Sequence, residues 1–273
     1  MIYDCFTFLN ENTLLEIRLN TLKDIVDKFV IIEADKTFAG NPKPKNFDER
    51  FLEKFPDKII YVYLEDKLNS RNAWENETIQ RNYILEALKQ QNCADDDIIL
   101  ISDIDEIPAP ITIEYYKQDP DGVKSLLQNF YNCYFNLQNC TESPWERAKI
   151  LQYKEFFNPK NKPKRISIAY IPALNEGTTP TSIRLMSPHK SIMGGWHFSY
   201  LGGAEAIKYK LENFSHQEFN NPNYTDINII KDRLFNEEDI LGRNLILKKV
   251  EIDNTFPKYI VDNQEKFKEF ILP

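Results

Sequence analysis

A chain of 273 residues with 42% hydrophobic content is long enough to bury a substantial core as one large domain. Its 42 Asp and Glu against 34 Lys and Arg give a net charge of −8, which argues against a surface that tracks a nucleic-acid backbone by counterion release. No apolar run approaches the roughly 18 residues of a membrane span and no basic stretch leads into an apolar core, so neither a span nor a signal peptide is expected.

The chain opens with β-rich IYDCFTFL (2–9), followed by 11–26, where Leu14, Leu15, Leu22, Ile25 and Val26 recur at helical spacing. Next come the strand KFVIIEA (28–34), a Pro/Lys/Asn-rich loop (35–46), a short helix around FDERFLEKF and the strand KIIYVYL (58–64). A helix over 74–90 leads into the strand DIILIS (97–102). Apolar strands alternating with helices predict a mostly parallel sheet flanked by helices.

After Pro110 the alternation breaks. The β-rich runs 129–138 and 146–153, a further strand at 165–171 and a loop-like region with Pro172, Gly177, Pro180 and Pro188 read as an antiparallel extension of the same sheet. Helices are expected at 202–214 and 226–235. The change near 110–120 is one of topology within a single domain, 1–273. Cys5, Cys93, Cys133 and Cys140 lack C-x-x-C spacing and are expected reduced. Four N-x-S/T sequons begin at Asn76, Asn139, Asn213 and Asn223; an Asn-rich chain makes them by chance.

The stretch DDDIILISDIDEIP (95–108) ends a core strand in a cluster of acids. Ligands of open α/β sheets bind beyond the carboxyl ends of the strands, and Asp103 and Asp105 sit at that edge. Two carboxylates one residue apart on a turn can converge on a hard divalent cation that leaves positions open for phosphate. The bland alternative is a capped turn. Asp95, Asp96 and Asp97, at the other end of the strand, read as a solvated turn.

SDIDEIP together with the upstream Gln80-Arg81-Asn82 and the downstream GGWHFSYLGG (194–203) resembles the family 17 glycosyltransferases, a likeness that runs as far as KLENFSHQEFN (210–220). The resemblance implies a GT-A-like α/β domain, with 1–110 binding a nucleotide sugar and 111–273 binding the acceptor. It also implies a divalent metal, Mn²⁺ or Mg²⁺, a UDP-sugar donor carrying N-acetylglucosamine or a related hexose, a glycan or lipid-linked saccharide acceptor, and inversion at the anomeric carbon. On that footing Asp105 is the direct metal ligand, Asp103 holds the ribose or a metal-bound water, and His197 completes the metal shell or touches the acceptor. Arg81, 22 residues before Asp103, orients the aspartates or meets phosphate, its alternative being a surface partner for Glu77. Glu106 orders the turn or faces the donor, and Glu33, at the end of the second strand, accepts from ribose or base or else caps a loop.

Gly194 and Gly195 permit close backbone approach to a ligand, and Trp196 offers a flat face for a sugar or fills the core. The base that an inverting transfer requires is placed at Glu205, after the Gly202-Gly203 break. Glu176 and the pair His216 and Glu218 are the alternatives. A catalytically inactive carbohydrate-binding protein on the same frame, or a retaining transferase, would carry much of this pattern. The expected location is the cytoplasm, with peripheral association at a membrane.

Overall fold

The computed structural model of the chain describes residues 1–161, 178–188 and 190–273. The expected strand at 165–171 and the candidate base Glu176 lie outside them. The first third follows the predicted alternation. β1 (Ile2–Phe8), α1 (Asn12–Leu22), β2 (Lys28–Ala34), α2 (Arg50–Lys54), β3 (Ile59–Leu64), α3 (Ala73–Gln90) and β4 (Ile98–Asp103) succeed one another, and the strands pair in parallel in the order β4, β1, β2, β3.

Strand parity decides which helix meets which residue. Ile2, Phe6 and Phe8 of β1, Phe29 and Ile31 of β2, and Ile98 and Leu100 of β4 pack in one core with Leu14, Leu15, Ile17, Leu19 and Leu22 of α1. Tyr3, Cys5, Val30, Ile32, Ile99 and Ile101 pack in the other with Ile84, Leu85 and Leu88 of α3. Each such buried aliphatic side chain stabilises the fold by about 1.5–3 kcal/mol. Continuing the alternation puts Ser102 on the α1 face and Asp103 on the α3 face, so the strand end presents its carboxylate to the helix that carries Arg81.

β5 (Glu106–Pro108) and α4 (Pro110–Gln118) follow, then β6 (Lys124–Asn132), β7 (Leu137–Asn139) and β8 (Lys149–Gln152). After Pro110 the strand–helix alternation was expected to break, and no element was assigned before the run at 129–138. Residues 110–118 form a helix with Pro110 in its first turn, as suits a residue without an N–H to offer, and the helix buries Thr112, Ile113 and Tyr116. β8 pairs antiparallel with both β4 and β6, and β7 with β6.

α5 (Pro180–Leu185) and β9 (Ser191–Ser199) were both missed where a Pro-rich loop and a glycine motif were read. β9 lies parallel to β6 and antiparallel to β5. α6 (Gly203–Asn213), α7 (Pro222–Thr225) and α8 (Ile227–Phe235) follow, with β10 (Leu247–Lys249) antiparallel to β7 and α9 (Lys258–Asp262) near the end. Ile207 and Leu211 of α6 pack with Ile230 of α8 and Ile240 in a third small core that seats α6 beside the carboxyl edge of the sheet.

One smaller expectation is corrected, and the sequons are placed. Asp97 is buried and accepts from the Ala94 N–H at 2.8 Å, so only Asp95 and Asp96 form the solvated turn. Asn76, Asn139 and Asn213 are buried, leaving Asn223 as the one exposed sequon.

Candidate active site

The turn from Asp103 to Glu106 hangs on Arg18, a residue of α1 whose side chain is fully buried. Arg18 donates through Nη1 to the carbonyls of Asp103 (2.8 Å), Ile104 (3.2 Å) and Glu106 (3.0 Å) and through Nη2 to Ser102 Oγ at 2.6 Å. A bidentate pair with Asp4, at 2.7 and 2.6 Å, supplies the counter-charge that a buried guanidinium requires.

Above that support the carboxylate of Asp103 receives two guanidinium groups, Arg81 Nη2 on Oδ1 at 2.8 Å and Arg184 Nη2 on Oδ2 at 2.5 Å. Burial would raise this carboxyl, but Arg184 and Arg81 outweigh it and hold it below its usual range. Arg81, itself buried, also bonds Glu77 at 2.7 Å, so it pairs both with the acidic turn and with its neighbour on α3. Arg184, from α5, forks onto Glu106 as well, Nη1 to Oε2 at 2.5 Å and Nη2 to Oε1 at 2.7 Å.

Asp105 is buried. Its Oδ2 accepts from Lys210 of α6 at 2.9 Å, and its Oδ1 lies 3.6 Å from His197 Nε2. Burial again pushes the carboxyl up, and Lys210 and His197 bring it far below the ordinary carboxylate range. The imidazole of His197 lies stacked against Phe130, ring centres 4.4 Å apart, with Trp145 at 4.7 Å, and its Nδ1 is buried without a partner among the described residues.

These donors fit a divalent cation in part. Asp105 Oδ1 and His197 Nε2 are close enough to reach one ion, but both oxygens of Asp103 are already taken by guanidinium groups, and Lys210 opposes a second positive charge. Among the described residues no three His, Cys, Asp or Glu side chains surround a common point. An ion here would draw its remaining oxygen ligands from a bound phosphate.

The turn opens on a cavity of about 410 Å³ at the carboxyl ends of β1 and β4. Asp103, Asp105, Glu11 and Glu77 face it, opposed by Lys36, Arg81, Arg147, Arg184 and Lys210, so among the described residues its charged lining is net positive in a protein whose total charge is −8. Phe8, Phe38, Trp74 and Phe214 supply apolar wall. Trp74, in the first turn of α3, remains 42% exposed and meets the His216 ring edge-on at 4.4 Å.

Arg81, Asp103 and Asp105 thus gather at one cavity, with His197 directly behind Asp105. Other expected site residues lie elsewhere. Glu33 is fully buried on the α1 face and caps the loop after β2: it is paired with Lys43 and accepts from the Asn46 and Phe47 N–H groups and the Tyr61 hydroxyl. Glu106 is likewise internal, its oxygens taken by Arg184, the Trp145 indole N–H and the Asp103 N–H, so it orders the turn and faces no donor.

Trp196 is a core residue whose indole donates to the Thr255 carbonyl at 2.9 Å. Gly195 is glycine for the sheet's sake and not for a ligand's: at φ +122°, a Cβ there would stand 2.6 Å from the Ile107 carbonyl oxygen. Glu205 is exposed in the first turn of α6 and does not line the cavity, which removes it as the base. Arg184, Lys210, Trp74 and Glu11 were not singled out from sequence. Lys210 lies within the KLENF stretch of the family likeness, which was its only signal.

Residues 1–166 match the model of Glycosyltransferase family 17. A human β-1,4-mannosyl-glycoprotein 4-β-N-acetylglucosaminyltransferase is 32% identical over 108 residues, 37% of this chain and 20% of that protein, and the rat protein of the same name is equally similar over the same shares. The alignment therefore spans about a fifth of the length of these curated relatives. Among solved structures, 4-diphosphocytidyl-2C-methyl-D-erythritol synthase superposes with a TM-score of 0.37 at 13% identity, covering 71% of this chain and 89% of that one. With more than half of its length matched to that model, and the D-x-D turn within the match, the chain belongs to glycosyltransferase family 17.

Proposed function

We propose that the protein transfers a sugar, N-acetylglucosamine or a related hexose, from a UDP-sugar to a hydroxyl of a glycan or lipid-linked saccharide, with inversion. The observation that carries this reading is the cavity at the carboxyl edge of the parallel strands, where a net-positive lining surrounds Asp103 and Asp105 beside aromatic walls. A nucleoside diphosphate needs both features, cations for its phosphates and flat apolar faces for base and sugar.

Arg184 and Lys210 sit where they can turn from carboxylate to phosphate without leaving their pairs entirely, since a guanidinium carries five donors and an ammonium three. Arg147, exposed at the cavity, adds a third cation. As the bond to the leaving diphosphate breaks, these fixed charges stabilise the negative charge that develops on it. A Mn²⁺ or Mg²⁺ ion held by Asp105 and His197 would add Lewis-acid stabilisation of the same leaving group. Burial of His197 between Phe130 and Trp145 keeps the imidazole oriented toward Asp105.

The test is a panel of nucleotide sugars measured by thermal shift with and without Mn²⁺, followed by the product's anomeric configuration by NMR. UDP-N-acetylglucosamine should raise the melting temperature, because a ligand that binds only the native state stabilises it. A chain indifferent to every nucleotide sugar would sink the reading, and a retained configuration would remove the inverting part of it.

A further inference from the structure

Inversion needs a group to take the acceptor's proton, and with Glu205 outside the cavity the described lining supplies the candidates. Four acids line it. Glu77 is paired with Arg81, Asp103 with Arg81 and Arg184, and Asp105 with Lys210. Glu11 alone has no cationic partner among the described residues.

Its setting is that of a fixed acceptor. Glu11 follows β1, whose Thr7 is in register with Asp103, and directly precedes α1. Oε2 receives the N–H groups of Leu9 at 3.0 Å and Asn10 at 2.9 Å, which lock the carboxylate, and Oε1 makes no hydrogen bond among the described residues. Lys210, on α6, lines the same cavity and donates to Asp105 at 2.9 Å.

We propose that Oε1 of Glu11 is the general base of the transfer, an assignment that rests on the sugar-transfer reading above. The acceptor oxygen bonds to the anomeric carbon as the bond from that carbon to the β-phosphate oxygen breaks. The electron pair of the broken bond leaves with the nucleoside diphosphate, and the hydroxyl proton ends on Glu11. Among the described residues His216, held through Nδ1 by Glu218 at 2.7 Å, is another cavity group able to accept a proton. It is the weaker candidate, because it belongs to a surface loop and its side chain is 46% exposed.

The experiment compares wild type with Glu11→Gln, whose amide oxygen can still receive both backbone N–H groups while no longer accepting a proton. UDP-N-acetylglucosamine is the donor, with water and a mannose-terminated oligosaccharide as acceptors, and donor Kd is measured separately by calorimetry. Glu11→Gln should lower kcat by about 10²- to 10⁴-fold with donor Kd changed by no more than about twofold. Transfer at the wild-type rate, a donor Kd weakened as much as kcat, or a rate that falls only in His216→Gln overturns the assignment. A wild-type chain that binds the donor but is not slowed by Glu11→Gln condemns Glu11 alone, whereas one that binds no nucleotide sugar condemns the transfer reading with it.

Discussion

Arg18 donates to the main-chain carbonyl of Asp103 at 2.8 Å from a fully buried position, so the acidic turn of the site is held by a helix that never enters the cavity. Replacing Arg18 with Met leaves Asp4 buried without a counter-charge and strips three carbonyls of their donor. The expected cost is about 3–5 kcal/mol, read as a lower urea midpoint, with faster amide exchange at Ile104 and Glu106. Arg18→Lys should rescue little, because one ammonium cannot reach Asp4, Ser102 and three carbonyls together. A midpoint unchanged in Arg18→Met would show that the turn stands by itself.

Asp105 and Lys210 form a buried pair at 2.9 Å. Asp105→Asn should abolish transfer and also cost about 1–3 kcal/mol, a moderate figure because the Lys210 side chain is 28% exposed. Adding Lys210→Met should restore part of that stability and none of the activity. In the same series, Mn²⁺ with UDP should raise the melting temperature of wild type and not of Asp105→Asn; an equal rise in both would place the ion elsewhere.

Trp74 offers an exposed indole at the cavity, capped into α3 by Asn72 and packed on His216. Trp74→Ala should raise the KM of donor or acceptor roughly 3- to 10-fold, the equivalent of about 0.5–1.5 kcal/mol of aromatic packing, with little change in kcat or in melting temperature. Steady-state kinetics with each substrate varied in turn identify the partner. An unchanged KM for both would return Trp74 to the ordinary exposed surface.

Lys149 is buried, and desolvation together with the nearby Arg184 guanidinium lowers its pKa to about 8. The unfolded chain holds that proton more tightly, so the burden on stability is full below pH 8 and is relieved as pH rises from about 8 toward the ordinary lysine value near 10.4. Relative to Lys149→Met, wild type should gain up to roughly 3 kcal/mol across that window. Urea midpoints of the two proteins that stay parallel from pH 7 to 10.5 would contradict the assignment.

What could be read from sequence divides along physical lines. β1 to β4 with α1 and α3 announce themselves because both cores are built from local periodicity, and Asp103, Asp105 and Arg81 meet where a strand end and the preceding helix must bring them. Trp196 and Gly195 misled because a glycine that admits a neighbouring carbonyl looks the same in sequence as one that admits a ligand. Glu33 misled because the loop that closes over it, through Asn46 and Phe47, returns from more than ten residues away. Arg184 carries no local signal and Lys210 only its place in the KLENF stretch: one sits among prolines and threonines, the other beside Lys208 on α6, and only long-range packing sets them against acids 81 and 105 residues earlier.

The matched stretch ends at residue 166, yet Arg184, His197 and Lys210, which neutralise its acids, all come later. Recombination that exchanged the back portion of the gene would leave those acids without their counter-ions. Any graft must therefore import a new ring of bases along with a new specificity, or it inherits a mouth of mutually repelling carboxylates.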